Sequence, residues 1–196
     1  MIEPYFKTRL CTLYQGDARS VLPQLGEYNF CITEPPRWEY DFFHSWYDIV
    51  RKKCGTLAVI TQPAGLKYSV RLIGDELRDV VAGRNLTKER PGGIGKTNWI
   101  AAVIVGTSVK EGLNSFDFEQ LEELPNHPEP KPVEYMTRLI QRLLETGSIL
   151  PTETLIDPFA GSGTTLLAAT RLHLNCVGIE SSEEYCKLTA ERVRKG

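Results

Sequence analysis

The segment Leu155-Ile156-Asp157-Pro158-Phe159-Ala160-Gly161-Ser162-Gly163-Thr164-Thr165 constrains this chain more than any other. A short apolar run stops at an acid, passes through a turn containing two glycines and enters Leu166-Leu167-Ala168-Ala169, a helix-forming composition. Such a strand–turn–helix unit lets a ligand approach the backbone closely and meet free amides at a helix N-terminus. The spacing predicts a helix over Ser162–Leu172. The next strand, Asn175–Glu180, ends in a carboxylate about twenty residues past Gly161, the place from which a Rossmann-like unit holds the hydroxyls of an adenosine ribose. The loop is neither GxGxxG nor a lysine-bearing phosphate loop. A single nucleoside with a charged tail therefore suits it better than a dinucleotide or a triphosphate.

The rest of the chain supplies the partners such a unit needs. Leu10–Gln15, Tyr28–Thr33 and Gly55–Thr61 are continuously apolar, as strands covered on both faces of a parallel sheet are. Between the last two, Asp41–Lys53 places Phe42, Trp46, Ile49 and Val50 at helical spacing. Leu77–Val81 and Trp99–Gly106 read as strands, Val133–Glu145 as an amphipathic helix, Thr154–Asp157 as a strand and Ser182–Lys195 as a last helix. Strand and helix alternate, which defines an α/β architecture. The 196 residues suffice for one such domain, and the formal charge of −2 excludes a polybasic nucleic-acid coat. That total conceals a basic connection over 83–98, too rich in glycine, proline and polar residues for regular structure. An acidic stretch over 111–134 follows it. Gly92-Gly93-Ile94-Gly95-Lys96-Thr97 fails as a phosphate loop, because Arg90 stands where a glycine is required.

Several classes drop out. The five cysteines form no CxxC pair and suggest reduced thiols in the cytoplasm. With the three histidines equally scattered, no metal site is expected. No secretory leader is recognisable, and no run approaches the ~20 apolar residues of a membrane span. Trp46, Trp99 and Phe43 are expected in packing rather than in base stacking.

A resemblance extends these inferences. Asp157-Pro158-Phe159-Ala160-Gly161-Ser162-Gly163-Thr164-Thr165 resembles the S-adenosylmethionine loop of the DNA amino-methyltransferases, which methylate adenine N6 or cytosine N4. His127-Pro128-Glu129-Pro130-Lys131-Pro132 resembles the HPxxKP segment of the permuted β group, and Gly16-Asp17-Ala18 the turn that meets the cofactor adenine. Glu34-Pro35-Pro36-Arg37 stands where that family has its catalytic (D/N/S)PP(Y/F). The resemblance implies a Rossmann-like fold: a sheet of about seven strands, mostly parallel with an antiparallel edge strand, and helices on both faces. It implies one domain over 1–196 in permuted order: a catalytic half (1–82), a region of basic loop, edge strands and acidic linker (83–130), and a cofactor half (131–196). It also assigns Asp157, Phe159, Gly161, Ser162 and Gly163 to the methionine part, Thr164, Thr165 and Lys131 to its carboxylate, Glu180 to the ribose, and Asp17 with Ala18 to the adenine.

The altered tetrapeptide bears directly on the chemistry. An exocyclic amine is a poor nucleophile because its lone pair is conjugated into the ring. A hydrogen-bond-accepting side chain and a backbone carbonyl left free between two prolines draw it toward a pyramidal nitrogen. Here the acceptor is Glu34, one methylene longer than aspartate, and Arg37 replaces the stacking aromatic. Three readings stand open. Glu34 accepts the amine while Arg37 or Trp38 covers a base drawn from the duplex; Glu34 serves another nitrogen nucleophile; or the protein binds cofactor and nucleic acid without turnover. The first is favoured, with adenine N6 ahead of cytosine N4 and DNA as the partner. Arg84, Lys88, Arg90 and Lys96 are candidate phosphate contacts. Little chain remains for a domain reading several base pairs, so lax specificity, single-stranded DNA, a partner subunit and a homodimer all stay open.

Overall fold

Runs that are apolar at every position need cover on both faces, and the central sheet provides it. A computed structural model describes residues 2–36, 40–61, 63–86, 90–92, 95–97, 99–106, 115–120 and 131–196. In chain order its elements are β1 (Phe6–Lys7), β2 (Cys11–Gln15), α1 (Ala18–Val21), β3 (Tyr28–Thr33), α2 (Tyr40–Lys53), β4 (Cys54–Thr61), α3 (Pro63–Ile73) and β5 (Leu77–Asn85). There follow β6 (Arg90–Gly92), β7 (Gly95–Thr97), β8 (Trp99–Gly106), β9 (Ser115–Phe118), α4 (Val133–Glu145), β10 (Thr154–Asp157), α5 (Thr164–Arg171), β11 (Asn175–Glu180) and α6 (Glu183–Lys195). Among the described residues the main sheet has nine strands in the order β1-β2-β11-β10-β3-β4-β8-β5-β9.

The side-chain alternation of β4 explains its unbroken apolar sequence. Ala58 and Ile60 join the core under α4, α5 and α6, whereas Leu57 and Val59 join the core under α1, α2 and α3. On the first face Leu139, Ile140 and Leu143 of α4 are fully buried; on the second, Phe43, Trp46 and Val50 of α2 are. Removing each such side chain from water stabilises the fold by about 1.5–3 kcal/mol.

The α/β Rossmann-like class stands, with two adjustments. The strand count exceeds seven through the short edges β1 and β9. The main antiparallel strand is also interior: β8 runs antiparallel to both β4 and β5, and only the two-residue β1 is an antiparallel edge. The reason lies in the connection before it. β5 and β8 are joined through a ribbon, β6 against β7, so β8 returns alongside its predecessor, and its wholly apolar sequence demands a place covered on both sides. The expectation of an irregular 83–98 is thus corrected: β5 runs on to Asn85, and Arg90–Gly92 pairs antiparallel with Gly95–Thr97. Helix α3 opens on Pro63, a residue suited to a first helical turn.

Candidate active site

Chain direction reverses at the centre of the sheet. From β10 the chain crosses through α5 to β11; from β3 it crosses through α2 to β4, on the other side and over the other face. β10 and β3 are parallel neighbours, so a crevice opens beyond their carboxyl ends, where open α/β sheets hold their ligands. Thr33 ends β3 and Asp157 ends β10. The Thr33 hydroxyl donates to Asp157 Oδ1 at 2.7 Å, closing the floor of the crevice. The same oxygen accepts the Phe159 amide at 3.0 Å. Asp157 is fully buried, and burial pushes its carboxyl up to about 6 despite the donors from Thr165, Thr33 and Phe159.

The glycine loop is held from below and bare above. Gly161 has φ +53°, and a Cβ added there would meet nothing nearer than the Phe159 carbonyl oxygen at 4.0 Å. Gly163, with φ +79°, caps α5 and has no such room: an added Cβ would stand 2.5 Å from Thr189. Thr189 Oγ1 donates to the Gly161 carbonyl at 2.9 Å, and Arg192 Nη1 donates to the Ser162 carbonyl at 2.6 Å and to Thr164 Oγ1 at 3.2 Å. From the side, Glu180 accepts the Gly161 amide at 2.8 Å and the Ser182 amide at 2.7 Å. The helix starts at Thr164 rather than Ser162, because the loop's left-handed glycines occupy the preceding turn.

Above this loop lies a cavity of about 440 Å³ whose lining includes Glu34, Pro35 and Pro36 on one side and Asp157, Gly161, Ser162, Thr164, Thr165 and Glu180 on the other. A second hollow of about 150 Å³ continues beyond Phe159 and Glu180 and is lined by Gly16, Asp17, Ala18 and Ile179. The two share Pro36, Phe159, Glu180 and Ser181. Phe159 forms the ridge between them and is packed on Phe42 and Trp46 of α2 at ring distances of 6.0 and 5.4 Å. At the smaller end Asp17 caps α1 and pairs with Arg19, whose hydrogen bonds hold its carboxyl below the usual range. At the larger end Lys131 Nζ lies 2.5 Å from Glu34 Oε1. Beneath them Tyr135 is fully buried, with no hydrogen-bond partner for its hydroxyl among the described residues. Burial, and then the charge of Glu34, push that hydroxyl's pKa far up.

Glu34, Pro35, Pro36, Lys131, Asp157, Phe159, Gly161, Ser162, Thr164, Thr165 and Glu180 therefore line the cavity, and Asp17 and Ala18 the adjoining hollow that shares its Pro36, Phe159 and Glu180 wall. Gly163 lies below it, against α6. Lys131, assigned to the cofactor carboxylate, is paired here with Glu34. Arg84 is bound by Asp117 at 2.8 Å on the exposed strand ends and is not in the opening. Arg37, Trp38 and Lys88 lie outside the described residues, as do the segment 127–130 and the side chains of Arg90 and Lys96. Trp46 and Phe43 are buried as expected; Trp99 is not, being 42% exposed at the start of β8. Thr33, Thr189 and Arg192 were not anticipated. Thr33 adjoins Glu34 and could have been found as the last strand residue, but nothing in the spacing of α6 marks Thr189 or Arg192 as loop anchors.

The sheet order, the crevice at its switch point and the glycine loop define a Rossmann-like methyltransferase fold. The known structure of the PvuII cytosine-N4-specific DNA methyltransferase superposes with a TM-score of 0.76, at 19% identity, over 97% of this chain and 89% of that one. A crystal structure of an M1.HpyAVI–SAM complex gives 0.71, at 21% identity, over 94% and 99%. In sequence, residues 96–191 match the N6/N4 family of DNA methylases. The type II methyltransferase M2.LlaDCHI of Lactococcus lactis subsp. cremoris is 39% identical over 70 residues, 36% of this chain and 24% of its own length. The DNA adenine methyltransferase YhdJ of Escherichia coli K12 is 34% identical over 84 residues, 41% and 27% respectively. The matched stretch thus spans about a quarter of these relatives. Over 96–191, just under half of the chain, the sequence therefore matches the DNA amino-methyltransferases.

Proposed function

We propose that this chain methylates an exocyclic amine of a DNA base, with S-adenosylmethionine as the donor. The observation that carries the reading is the shared cavity: the Glu34-Pro35-Pro36 turn and the glycine loop face one space, with the hollow at Gly16-Asp17-Ala18 adjoining it across Phe159. About 440 Å³ falls within the roughly 300–1,000 Å³ of small-molecule sites. The residues suit the donor. Gly161 leaves bare backbone toward the cavity, Glu180 is an acceptor at its edge, and Lys131 is a cation on its wall. Relatives named as DNA adenine and cytosine-N4 methyltransferases support the substrate class.

When bound, the cofactor supplies a methyl group made electrophilic by a sulfonium. The protein's own part is to position and to activate. Asp157, Ser162, Thr164 and Thr165 bind and orient polar atoms, and Phe159 divides the adenine end from the rest. Glu34 accepts a hydrogen bond from the target NH2, and the Pro35-Pro36 backbone, with no amide hydrogens of its own, offers a free carbonyl for the second, so the nitrogen lone pair is turned toward the cavity. Adenine N6 is the favoured target, on the acid at the first position of the tetrapeptide. Duplex phosphates would meet the β6–β7 ribbon and Arg84 at the end of the sheet that carries the cavity.

Incubation with tritium-labelled cofactor and double- or single-stranded DNA tests this. Label is expected in DNA, as N6-methyladenine after hydrolysis, and lost in Glu34→Ala. Cofactor binding without label in any DNA overturns the proposed activity, and label as N4-methylcytosine overturns only the choice of base.

A further inference from the structure

Positive charge is scarce among the cavity's described lining residues. Its lining holds three acids, Glu34, Asp157 and Glu180, and Lys131 is the one cation among the described lining residues. The Arg192 guanidinium is turned beneath the loop onto Ser162 and Thr164. The Lys131 side chain is only 5% exposed, its carbonyl accepts from Thr164 Oγ1 at 3.4 Å, and its ammonium is paired with Glu34. A buried ammonium requires an anionic partner, and here the partner is the very carboxylate positioned to receive the target amine. The extra methylene of glutamate over aspartate is what gives that carboxylate its reach.

We infer that Lys131 is a shared cation coupling ligand binding to the state of Glu34: a ligand bearing a carboxylate competes for the ammonium, and its arrival loosens Glu34 toward the amine. The inference rests on the proposed function, since it takes the cavity to receive an adenosyl amino acid. Two carboxylates around one buried ammonium repel each other, so Glu34 opposes entry of the ligand's carboxylate as that carboxylate weakens the hold on Glu34. Linkage makes the two effects equal. Glu34 is held until the donor is in place, which orders binding: cofactor first, then base. Lys131 is in this sense a positioning residue for Glu34.

Calorimetric titration with two probes tests the coupling. S-adenosylhomocysteine carries the amino-acid carboxylate; 5′-methylthioadenosine lacks it. In Glu34→Gln the homocysteine compound is expected to bind about three- to tenfold more tightly, the range for a partly exposed ion pair, while methylthioadenosine is unchanged. Lys131→Met should weaken the first probe and spare the second, and in the double variant the gain from Glu34→Gln should vanish. Thermal melting checks that each variant is folded. A Glu34→Gln variant in which the ratio of the two affinities stays at its wild-type value, or moves the other way, overturns the coupling while leaving the proposed function intact. Wild-type protein that binds neither probe overturns the proposed function, and the coupling with it.

Discussion

Asp157 makes the buried floor of the crevice sensitive to pH, in the direction opposite to ordinary surface carboxylates. Its folded carboxyl is pushed up to about 6 from 3.8, chiefly by burial. Between those values the folded protein keeps a proton that the unfolded chain has lost. The contribution of Asp157 is therefore fully present below pH ~4 and is lost as pH rises through ~6. A shift of about two pH units at roughly 1.4 kcal/mol each amounts to about 3 kcal/mol. No discount for solvent applies to a fully buried group. Asp17, Asp117 and Glu183 are held below their usual range by Arg19, Arg84 and Lys187, and they impose the contrary trend, so the wild-type profile alone is not diagnostic. The variant to compare is Asp157→Asn, which keeps an oxygen for the Thr33 hydroxyl and the Phe159 amide but does not titrate. Urea unfolding at intervals from pH 4 to 7.5 should show the stability of wild type relative to Asp157→Asn falling by about 3 kcal/mol across the window. A difference that stays flat, or grows with pH, would refute the assignment of desolvation as the dominant force on this carboxylate.

The two loop glycines should separate fold from binding. Gly163→Ala is expected to cost about 1–3 kcal/mol, seen as a melting temperature lower by several degrees, because strain at φ +79° adds to a 2.5 Å encounter with Thr189. Gly161→Ala, with open space at φ +53°, should cost about 1 kcal/mol but weaken nucleoside binding by calorimetry, since the new methyl enters the cavity wall. Arg192→Met removes the donors to the Ser162 carbonyl and Thr164 while keeping an unbranched apolar stem, so hydrogen exchange at 160–164 should quicken and ligand affinity fall. Thr33→Val, which strips one donor from Asp157 Oδ1, should destabilise by about 1–3 kcal/mol and move the midpoint of the pH dependence upward.

Much of the sheet was legible because its inner strands cannot disguise themselves. β3, β8, β10 and β11 coincide with the apolar runs Tyr28–Thr33, Trp99–Gly106, Thr154–Asp157 and Asn175–Glu180, each bounded by turn-forming or charged residues. The edge strands were not legible. Phe6–Lys7 has only two residues, and Ser115–Phe118 alternates over four, both too short for a pattern to rise above chance. Helix α3 was hidden by its composition. Pro63, Gly65 and Tyr68 depress helix propensity, and packing of Leu66, Leu72 and Ile73 against the sheet overrides it. The position of β8 was beyond local reading because pairing order depends on which strand the ribbon returns to.

The site divides along a different line. Residues fixed by what a backbone must do were visible in one dimension: Gly161 and Gly163 through their left-handed φ, Pro35 and Pro36 through their lost amides, Glu180 through its place at a strand end. Pairings fixed by what a side chain must neutralise were not. Lys131 and Glu34 stand ninety-seven positions apart (131 − 34), on segments joined only by the crossing of the sheet, and no spacing rule relates them. Thr189 and Arg192 likewise hold the loop from the last helix, so its shape is set by two side chains that do not themselves line the cavity. The departure at Glu34, which in the sequence reads as damage to a motif, acquires in three dimensions a compensating charge within contact distance. A carboxylate lengthened by one methylene reaches about 1 Å further; until a ligand arrives, the ammonium of Lys131 fixes where that added length points.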